Sequence, residues 1–371
     1  GGGDDNDSSG GEGGGAIKLT ISGNLNVNGG ISANGGNGID TSYGSGGGAG
    51  GSVWISANSI SGTSTISANG GDTVNASYDG GGGSGGRIAL YSSTNSLLDS
   101  QISAAGGKPL GADVTSQRGG AGTIYTKTPS QTYGSLRIDN IDTNWSSNRD
   151  RYAVTPINTP LTLDTLTLNN YAKVANNSTI TTTDLNIKNY ASYFSQSNST
   201  TNYTNLDWTG STVIDNGGTF NLVSNGGDLN IPANTTLEIN IPRTYNNITV
   251  SGILSHSTNV SEETNKLNIT ATGDVTVNEF GSINVVGKGY KDGYGPGAGV
   301  SGSYGAGGAS HAGVGGNGRS GLGGTTIYGS LTQPISLGSG GGDNNDSSGG
   351  EGGGVIKLTI SGNLNVNGNI S

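Results

Sequence analysis

The residues of this chain best suited to hold a metal ion are four acidic side chains near its start: Asp4, Asp5, Asp7 and Glu12. Carboxylate oxygens are the ligands that Ca²⁺ prefers, so this cluster is a candidate calcium site. The segment DNDSSG resembles the start of a calcium-binding loop, but its twelfth position would be Ala16 instead of the usual bidentate Glu. The sequence therefore favours a solvated acidic turn and keeps calcium as the alternative.

Ser84 is the residue whose surroundings most resemble a catalytic nucleophile. It lies in GGSGG, which matches the G-x-S-x-G elbow of serine hydrolases. Equivalent clusters read GGEGG around Glu12 and GGAGG around Ala49, and only His256 and His311 could serve as a base. Ser84 is therefore interpreted as one variant of a structural position. We predict no catalytic and no cofactor-binding residues.

An enzyme acting on polysaccharides is the catalytic alternative, and it would need clustered carboxylates and a base on one face of the fold. The sequence provides no such constellation. The segments 297–302 and 313–318 match GxGxxG, but neither follows a predicted strand and opens a helix, as dinucleotide binding requires. The prediction is therefore a protein that is not an enzyme.

The composition limits the possible partners and the possible core. The chain has 73 Gly in 371 residues, 30% hydrophobic residues, no Cys and a net charge of −10. Nucleic-acid binding needs clustered cations, which are missing here, so nucleic acid is an unexpected partner. No run of 18 apolar residues is present, so we predict no transmembrane segment. A signal for export would lie outside this stretch. So few apolar residues can fill only a thin core.

A repeat of about 36 residues organises the first third of the chain, residues 1–127. Glycine clusters centre on Glu12, Ala49, Ser84 and Ala121, at spacings of 37, 35 and 37 residues. Each cluster is followed by a short alternating strand such as AIKLTI or RIALY, and the first three are followed later by ISANGG or ISAAGG. Period-2 alternation bounded by Gly and Asn is typical of strands. We predict an all-β, right-handed parallel β-helix, a β-solenoid, whose stacked Gly-rich loops form a side lobe.

The rest of the chain varies this pattern. In residues 128–285 the motif LTLNNYA at 166–172 recurs as LNIKNYA at 185–191, which predicts β-solenoid coils of about 20 residues. Residues 286–339 are a long Gly-rich excursion that accounts for one coil or for two poorly marked ones. Glycine recurs there at every third residue in places, which leaves polyglycine-II-like packing and a mobile loop both open.

The longest repeat in the chain has a period of 339 residues. Residues 1–32 and 340–371 differ at only three positions: Asp5 against Asn344, Ala16 against Val355, and Gly30 against Asn369. We therefore predict tandem units, with residues 340–371 starting the next one, whose open strand edges pair head to tail. Roughly 12–14 coils at about 4.8 Å would advance one unit by on the order of 60 Å.

The segments IKLTISGNLNVNGGISANGG and GGGSGGRIALYSS resemble those of large secreted Gly-rich β-solenoid repeat proteins of microbes. More loosely they are similar to filamentous-haemagglutinin and autotransporter-type adhesins. The resemblance implies an extracellular or cell-surface location and carries no catalytic residue. The leading hypothesis is a structural repeat of an extracellular filament. The alternative is an adhesin or stalk that binds surface glycans through its Gly-rich or acidic loops.

Overall fold

The computed structural model describes residues 9–39, 44–73, 80–110, 116–141, 151–208, 210–220, 227–344 and 348–371. In these ranges the chain is almost entirely β-strand and extended segments, with one 3-10 helix at Asp99–Gln101. It divides into two compact units, Gly1–Thr212 and Val213–Ser371. The all-β class and the parallel pairing of strands, both predicted from the sequence, are confirmed.

The first unit contains fifteen of the described strands. They are β1 Ala16–Thr20, β2 Asn24–Val27, β3 Ile31–Ser32, β4 Ser52–Gly62, β5 Ile66–Ser67, β6 Arg87–Asn95, β7 Ile102–Ser103, β8 Thr123–Lys127, β9 Ser135–Asp139, β10 Val154–Ile157, β11 Leu161–Asn169, β12 Lys173–Asn176, β13 Thr179–Ile187, β14 Ser192–Gln196 and β15 Thr200–Asp207. Within this unit, the strands of the main sheet have the order β1-β4-β6-β8-β9-β11-β13-β15, and β2 also pairs with β4. A three-stranded sheet has the order β3-β5-β7, and β10, β12 and β14 pair in parallel in that order.

The second unit contains the remaining strands, the first of which begins at the boundary. They are β16 Thr212–Asn216, β17 Thr219–Phe220, β18 Leu229–Ile231, β19 Thr236–Ile239, β20 Arg243–Tyr245, β21 Ile248–Val250, β22 Ile253–Ser255, β23 Leu267–Ala271, β24 Val275–Val277, β25 Ser282–Ile283, β26 Ile356–Ile360, β27 Leu364–Val366 and β28 Asn369–Ile370. Three parallel ladders run through this unit: β16-β19-β22-β25-β28, β18-β21-β24-β27 and β20-β23-β26.

Strands of successive repeats pair in register, so equivalent side chains form columns. Val53 in β4 pairs with Ile17 on one side and with Ile88 on the other, and Ile88 pairs in turn with Ile124. Val53 and Ile88 are 1% exposed. Because alternate residues of a strand point to opposite faces, these columns fill one side of the sheet while polar and aromatic residues occupy the other. A chain of low hydrophobicity thereby obtains a narrow core.

One pair of strands in the main sheet, β8 and β9, is antiparallel. At this pair the buried side chains change from one face of the sheet to the other. Strand β9 runs against β8, with Tyr125 opposite Leu136. Directly opposed residues point to the same face of a sheet. Leu136 is 8% exposed and continues into the buried column of Leu166 and Leu185, whereas Tyr125 lies on the face opposite the core residue Ile124. The sequence-based prediction of uniform parallel pairing is therefore wrong at this position.

Asparagine and tyrosine form a repeated turn after β11 and β13. Asn170 and Asn189 have φ of 48° and 49°, and the tyrosines that follow them have φ of 60° and 65°. Asn tolerates this left-handed region, whereas a bulky residue there is strained. The rings of Tyr152, Tyr171 and Tyr190 stack with centroids 5.0 Å apart. This stacking helps to offset the backbone strain.

The long Gly-rich segment is bypassed by the ladders of the second unit. No strand occurs in residues 286–339, all of which are described. Strand β23 before the segment pairs directly with β26 after it, with Leu267 opposite Ile356 and Ile269 opposite Leu358. The segment is therefore a single excursion between two neighbouring rungs.

None of the described helical residues forms a helix long and apolar enough to cross a membrane.

Candidate functional site

Two stacks of glycine segments in the first unit are joined by a zigzag of backbone hydrogen bonds. The N–H of Gly48 donates to the carbonyl of Gly36 at 2.9 Å, and the N–H of Gly71 donates to Gly48 at 2.8 Å. The pattern continues from Gly83 to Gly71 and from Gly107 to Gly83. Each segment thus bonds to neighbours in more than one direction, which is how polyglycine-II strands pack. We call this assembly the glycine bundle: residues 11–15, 33–38, 47–51, 68–72, 80–86, 104–108 and 119–122.

Glycine is required inside this bundle because the segments approach backbone to backbone. A Cβ atom on Gly71 would overlap the carbonyl oxygen of Gly36, and one on Gly83 would overlap that of Gly48. Only a residue without a side chain permits such contacts. The predicted side lobe of stacked loops therefore has a definite internal packing, which composition alone did not specify.

The three-residue period of the glycine segments places every third residue on the outside. Gly81, Ser84 and Arg87 are exposed, while Gly83 and Gly86 are buried. A polyglycine-II-like strand has three residues per turn, so this alternation is expected. Of the four cluster centres, Glu12 aligns with Gly48 instead of Ala49, because the N–H of Gly36 donates to Glu12 as that of Gly71 donates to Gly48, and Ala121 is buried. The exposed middle position of GGxGG, which we call the GGxGG position, holds Ala49 and Ser84 in the second and third repeats. This supports the interpretation of Ser84 as one variant of a structural position.

The same period lines up polar residues along a groove on the bundle. Asn34 and Asn37, Asn69 and Asp72, and Ala105 and Lys108 are three residues apart in three successive segments. The Oδ1 atom of Asn34 accepts from the N–H of Asn69 at 2.7 Å, and that of Asn69 accepts from the N–H of Ala105 at 2.8 Å. The second row repeats the pattern, because Asn37 accepts from Asp72 and Asp72 from Lys108.

Arg118 and Asn140 lie at the deep end of this groove, which has a volume of about 510 Å³. Both are 1% exposed. Arg118 donates through Nε to the carbonyl of Gly106 and through Nη2 to the carbonyl of Asn140, each at 2.9 Å. Sequence reasoning missed this groove. The signal was the recurrence of ISANGG, in which Asn occupies the same position of successive repeats.

An aromatic row covers one face of the main sheet, opposite the face that carries the buried column of Val53 and Ile88. Trp54, Tyr91 and Tyr125 pack with centroids 5.6 and 5.7 Å apart, and the Nζ of Lys18 lies 5.0 Å from the Trp54 ring. Burial, followed by the neighbouring Tyr91 and Asp164, raises the pKa of Tyr125. Tilted aromatic pairs and a cation over a ring stabilise the sheet modestly. The row is a structural feature that the sequence analysis did not identify.

The long Gly-rich segment of the second unit is also packed by backbone hydrogen bonds. The N–H of Gly308 donates to Gly316 at 2.8 Å, that of Gly315 to Gly324 at 2.8 Å, and that of Gly324 to Gly308 at 2.9 Å. Of the two alternatives, the structure favours ordered packing. Tyr290 is buried with Leu337 and Val355. Two others, Tyr294 and Tyr304, are exposed.

The structure describes one of the four candidate calcium ligands. Asp4, Asp5 and Asp7 lie outside the described residues, and Glu12 is exposed. Within the described residues, no group of three or more His, Asp or Glu side chains could hold a metal ion. In the second copy, Asp343 accepts a hydrogen bond from the Ser301 hydroxyl. Calcium binding by the four acidic residues stays a prediction.

His256 connects the start of the second copy to the strands before it. Its Nε2 accepts from the N–H of Val355 at 3.1 Å, and its Nδ1 lies 2.9 Å from the carbonyl of Ser257. The ring is therefore neutral, with the proton on Nδ1. Burial lowers the pKa of His256, and Lys288 lowers it further, while the bond to Ser257 and the charge of Glu238 act in the opposite direction.

Acidification is expected to destabilise the fold through His256. Because its pKa is lowered in the folded state, the unfolded chain binds the proton more readily. Stability is therefore complete above the ordinary pKa of 6.5 and falls as the pH drops from there to the folded-state pKa. The loss is at most about 1.4 kcal/mol per pH unit. Urea unfolding at pH 7.5, 6.5 and 5.5 measures it.

The control for this prediction is His256→Gln, whose side-chain oxygen can still accept from the Val355 N–H but does not titrate. This variant is expected to lose the part of the pH dependence that lies below 6.5. Equal pH dependence of the two proteins would contradict the role assigned to His256.

No protein-family model, curated protein or solved structure matches this chain.

Proposed function

We propose that this chain is a structural repeat of an extracellular or cell-surface filament, a right-handed parallel β-solenoid whose units join end to end through parallel β-pairing. The observation that carries the proposal is the pairing of the repeated segment. Residues 356–360 pair with β23, which precedes them in the solenoid. The equivalent residues 17–20 pair with residues 53–56 of β4, which follow in the solenoid, and the N–H of Ile21 donates to the carbonyl of Ser56. One chain thus contains both sides of the joint between units.

Aliphatic columns would continue through such a joint without interruption. If residues 17–31 and 356–370 are treated as the same strands, three inward positions have a large aliphatic partner on both sides. Ile17, with its copy Ile356, lies between Leu267 and Val53, and Leu19, with its copy Leu358, lies between Ile269 and Ile55. Ile31, with its copy Ile370, lies between Ile283 and Ile66.

Side chains of the repeated segment also have apolar surface left to bury. Ile17 and Leu19 are half-buried, whereas their column partners Val53 and Ile55 are 1% and 0% exposed. Val366 is 46% exposed, although the equivalent Val27, which is covered by the next strand, is 2% exposed. Completing the burial of one aliphatic side chain contributes on the order of 1 kcal/mol. Stacking of the next unit would therefore be favourable.

Right-handed winding and covalent continuity are parts of this proposal. Parallel strands joined by a crossover are right-handed in about 98% of proteins, which supports the handedness. Exposed strand edges promote association of separate molecules, and in an array the same edges form the joint. The near-identity of the two copies supports a covalent array of units, as in other repeat proteins.

Electron microscopy of the native material tests the proposal. Helical analysis is expected to show a thin filament with a layer line near 4.8 Å and an axial period on the order of 60 Å. Discrete rods of fixed short length would contradict the filament. They would favour a stalk, for which surface binding becomes the leading function.

A further inference from the structure

We propose that the groove on the glycine bundle binds a linear polysaccharide that carries carboxylate groups. The groove is defined by Asn34, Asn37, Asn69, Asp72, Lys108 and Asn140, with Arg118 beneath it. It lies within the first unit, and the proposal does not depend on filament formation.

The orientation of the groove amides is fixed by their partners. Asn34, Asn37 and Asn69 each face a backbone N–H. Because this group donates a hydrogen bond, the side-chain atom that accepts it must be the amide oxygen Oδ1. Each Nδ2 group is therefore turned away from the backbone of the next repeat. The wall of the groove consequently presents hydrogen-bond donors.

Asn140 gives the second, independent indication of a ligand. Its Oδ1 accepts from the N–H of Gly106 at 3.2 Å, so its Nδ2 is turned away from Gly106. That Nδ2 is buried and has no hydrogen-bond partner among the described residues. An unsatisfied buried donor is unfavourable, and native proteins usually satisfy such groups with water or a ligand. An acceptor entering the groove would satisfy it.

The shape of the groove indicates an extended ligand. Successive repeats are about 4.8 Å apart, and residues three apart in a polyglycine-II-like strand are separated by about 9 Å. The donors therefore form a grid that extends over four repeats, from Asn34 to Asn140. A volume of about 510 Å³ suits several sugar rings better than a single small anion.

The charges of the groove indicate an acidic ligand. Lys108 and Arg118, which both also have partners within the chain, contribute two positive charges to the lining of the groove, and Asp72 contributes one negative charge whose Oδ1 accepts from the N–H of Lys108. Donors next to cations bind carboxylates more strongly than neutral hydroxyl groups. Because the whole chain carries a net charge of −10, the attraction is local and is expected to weaken with added salt.

Calorimetry with defined glycans tests this proposal on the single chain. Oligogalacturonate and alginate oligomers are the acidic probes, and dextran is the neutral probe. We expect binding of an acidic probe that weakens from 50 to 300 mM salt, and at least about tenfold weaker binding of dextran. Absence of binding by both acidic probes, or equal binding of dextran, would overturn the proposal.

The double variant Asn34→Asp and Asn69→Asp isolates the amide donors. Each carboxylate still accepts the backbone N–H, so the fold is kept, but the Nδ2 donor is replaced by a charged acceptor. Affinity for the acidic probe is expected to fall at least about tenfold. Unchanged affinity would show that the groove is not the binding site.

The double variant Asn24→Asp and Asn28→Asp is the matched control for the two added charges. Both residues are exposed and outside the groove, and their Oδ1 atoms accept from Asn58 Nδ2 at 3.1 Å and from the Thr63 hydroxyl at 3.5 Å. The affinity of this control for the acidic probe is expected to equal that of the unmodified chain. Circular dichroism of all three proteins verifies folding. A loss of affinity equal to that of the double variant would contradict the assignment.

Discussion

Gly83→Ala is expected to lower the free energy of unfolding by about 3 kcal/mol or more. The added Cβ would overlap the carbonyl oxygen of Gly48, which is backbone and cannot move aside alone. Displacing residue 83 also weakens two hydrogen bonds of the zigzag, from its own N–H to Gly71 and from Gly107 to its carbonyl. Urea unfolding followed by circular dichroism measures the change.

Gly81→Ala is the matched control, two residues earlier in the same segment. Gly81 is exposed, and the nearest atom to its added Cβ would be the carbonyl oxygen of Gln117 at 3.8 Å. This is ordinary van der Waals contact, and removing a glycine restricts the unfolded chain. The expected change is within about 1 kcal/mol. Similar destabilisation by both substitutions would contradict the packing described for the glycine bundle.

Leu358→Lys is expected to open the joint between units in a protein that contains two complete units. In the proposed joint, Leu358 lies between Ile269 and the next unit's equivalent of Ile55. An ammonium group buried there without a partner would cost about 3 kcal/mol or more. Hydrogen exchange of residues 356–371, followed by mass spectrometry, is expected to accelerate while exchange within each unit stays slow.

Thr359→Lys provides the comparison at the neighbouring position. Thr359 is exposed on the outer face of β26, so a lysine there reaches solvent. Exchange of residues 356–371 is expected to remain as slow as in the unmodified protein. If Leu358→Lys also leaves exchange unchanged, the repeated segment does not lie between two strands, and the proposed joint is wrong.

Periodicity was the part of the sequence that predicted structure most directly. The columns of Ile17, Val53, Ile88 and Ile124 could be located from their spacing alone, because in-register parallel pairing places equivalent residues side by side. The 19-residue repeat behaved in the same way, with Leu166 beside Leu185. Local alternation and a constant period are enough to fix such pairs.

The reversal between β8 and β9 could not be predicted from local sequence. Residues 128–134 contain Pro129 and Gly134, which indicate a turn but not its direction. The strand direction and the buried face change together there. In the proposed solenoid, these two changes compensate, so the chain keeps the same winding sense on the other side of the sheet.

The groove could be predicted only after the glycine segments were known to be packed. Asn34 and Asn69 read as turn residues in the sequence, since Asn next to Gly is a common turn signal. Their alignment depends on the three-residue period of the bundle. Arg118 and Asn140 join them through contacts between segments about 20 to 100 residues apart, which no local pattern reveals.

At the GGxGG position, the exposed side chain can vary from one repeat to the next without disturbing the glycine bundle. Ala49 and Ser84 differ in size and polarity, yet both occupy an equivalent outward place, while a Cβ on the glycines beside them would overlap backbone atoms. Because the chain has no Cys, a single cysteine at Ser84 would carry a unique chemical label. In a fibre of such units, labels would recur once per unit along the axis, so their spacing would equal the axial length of one unit.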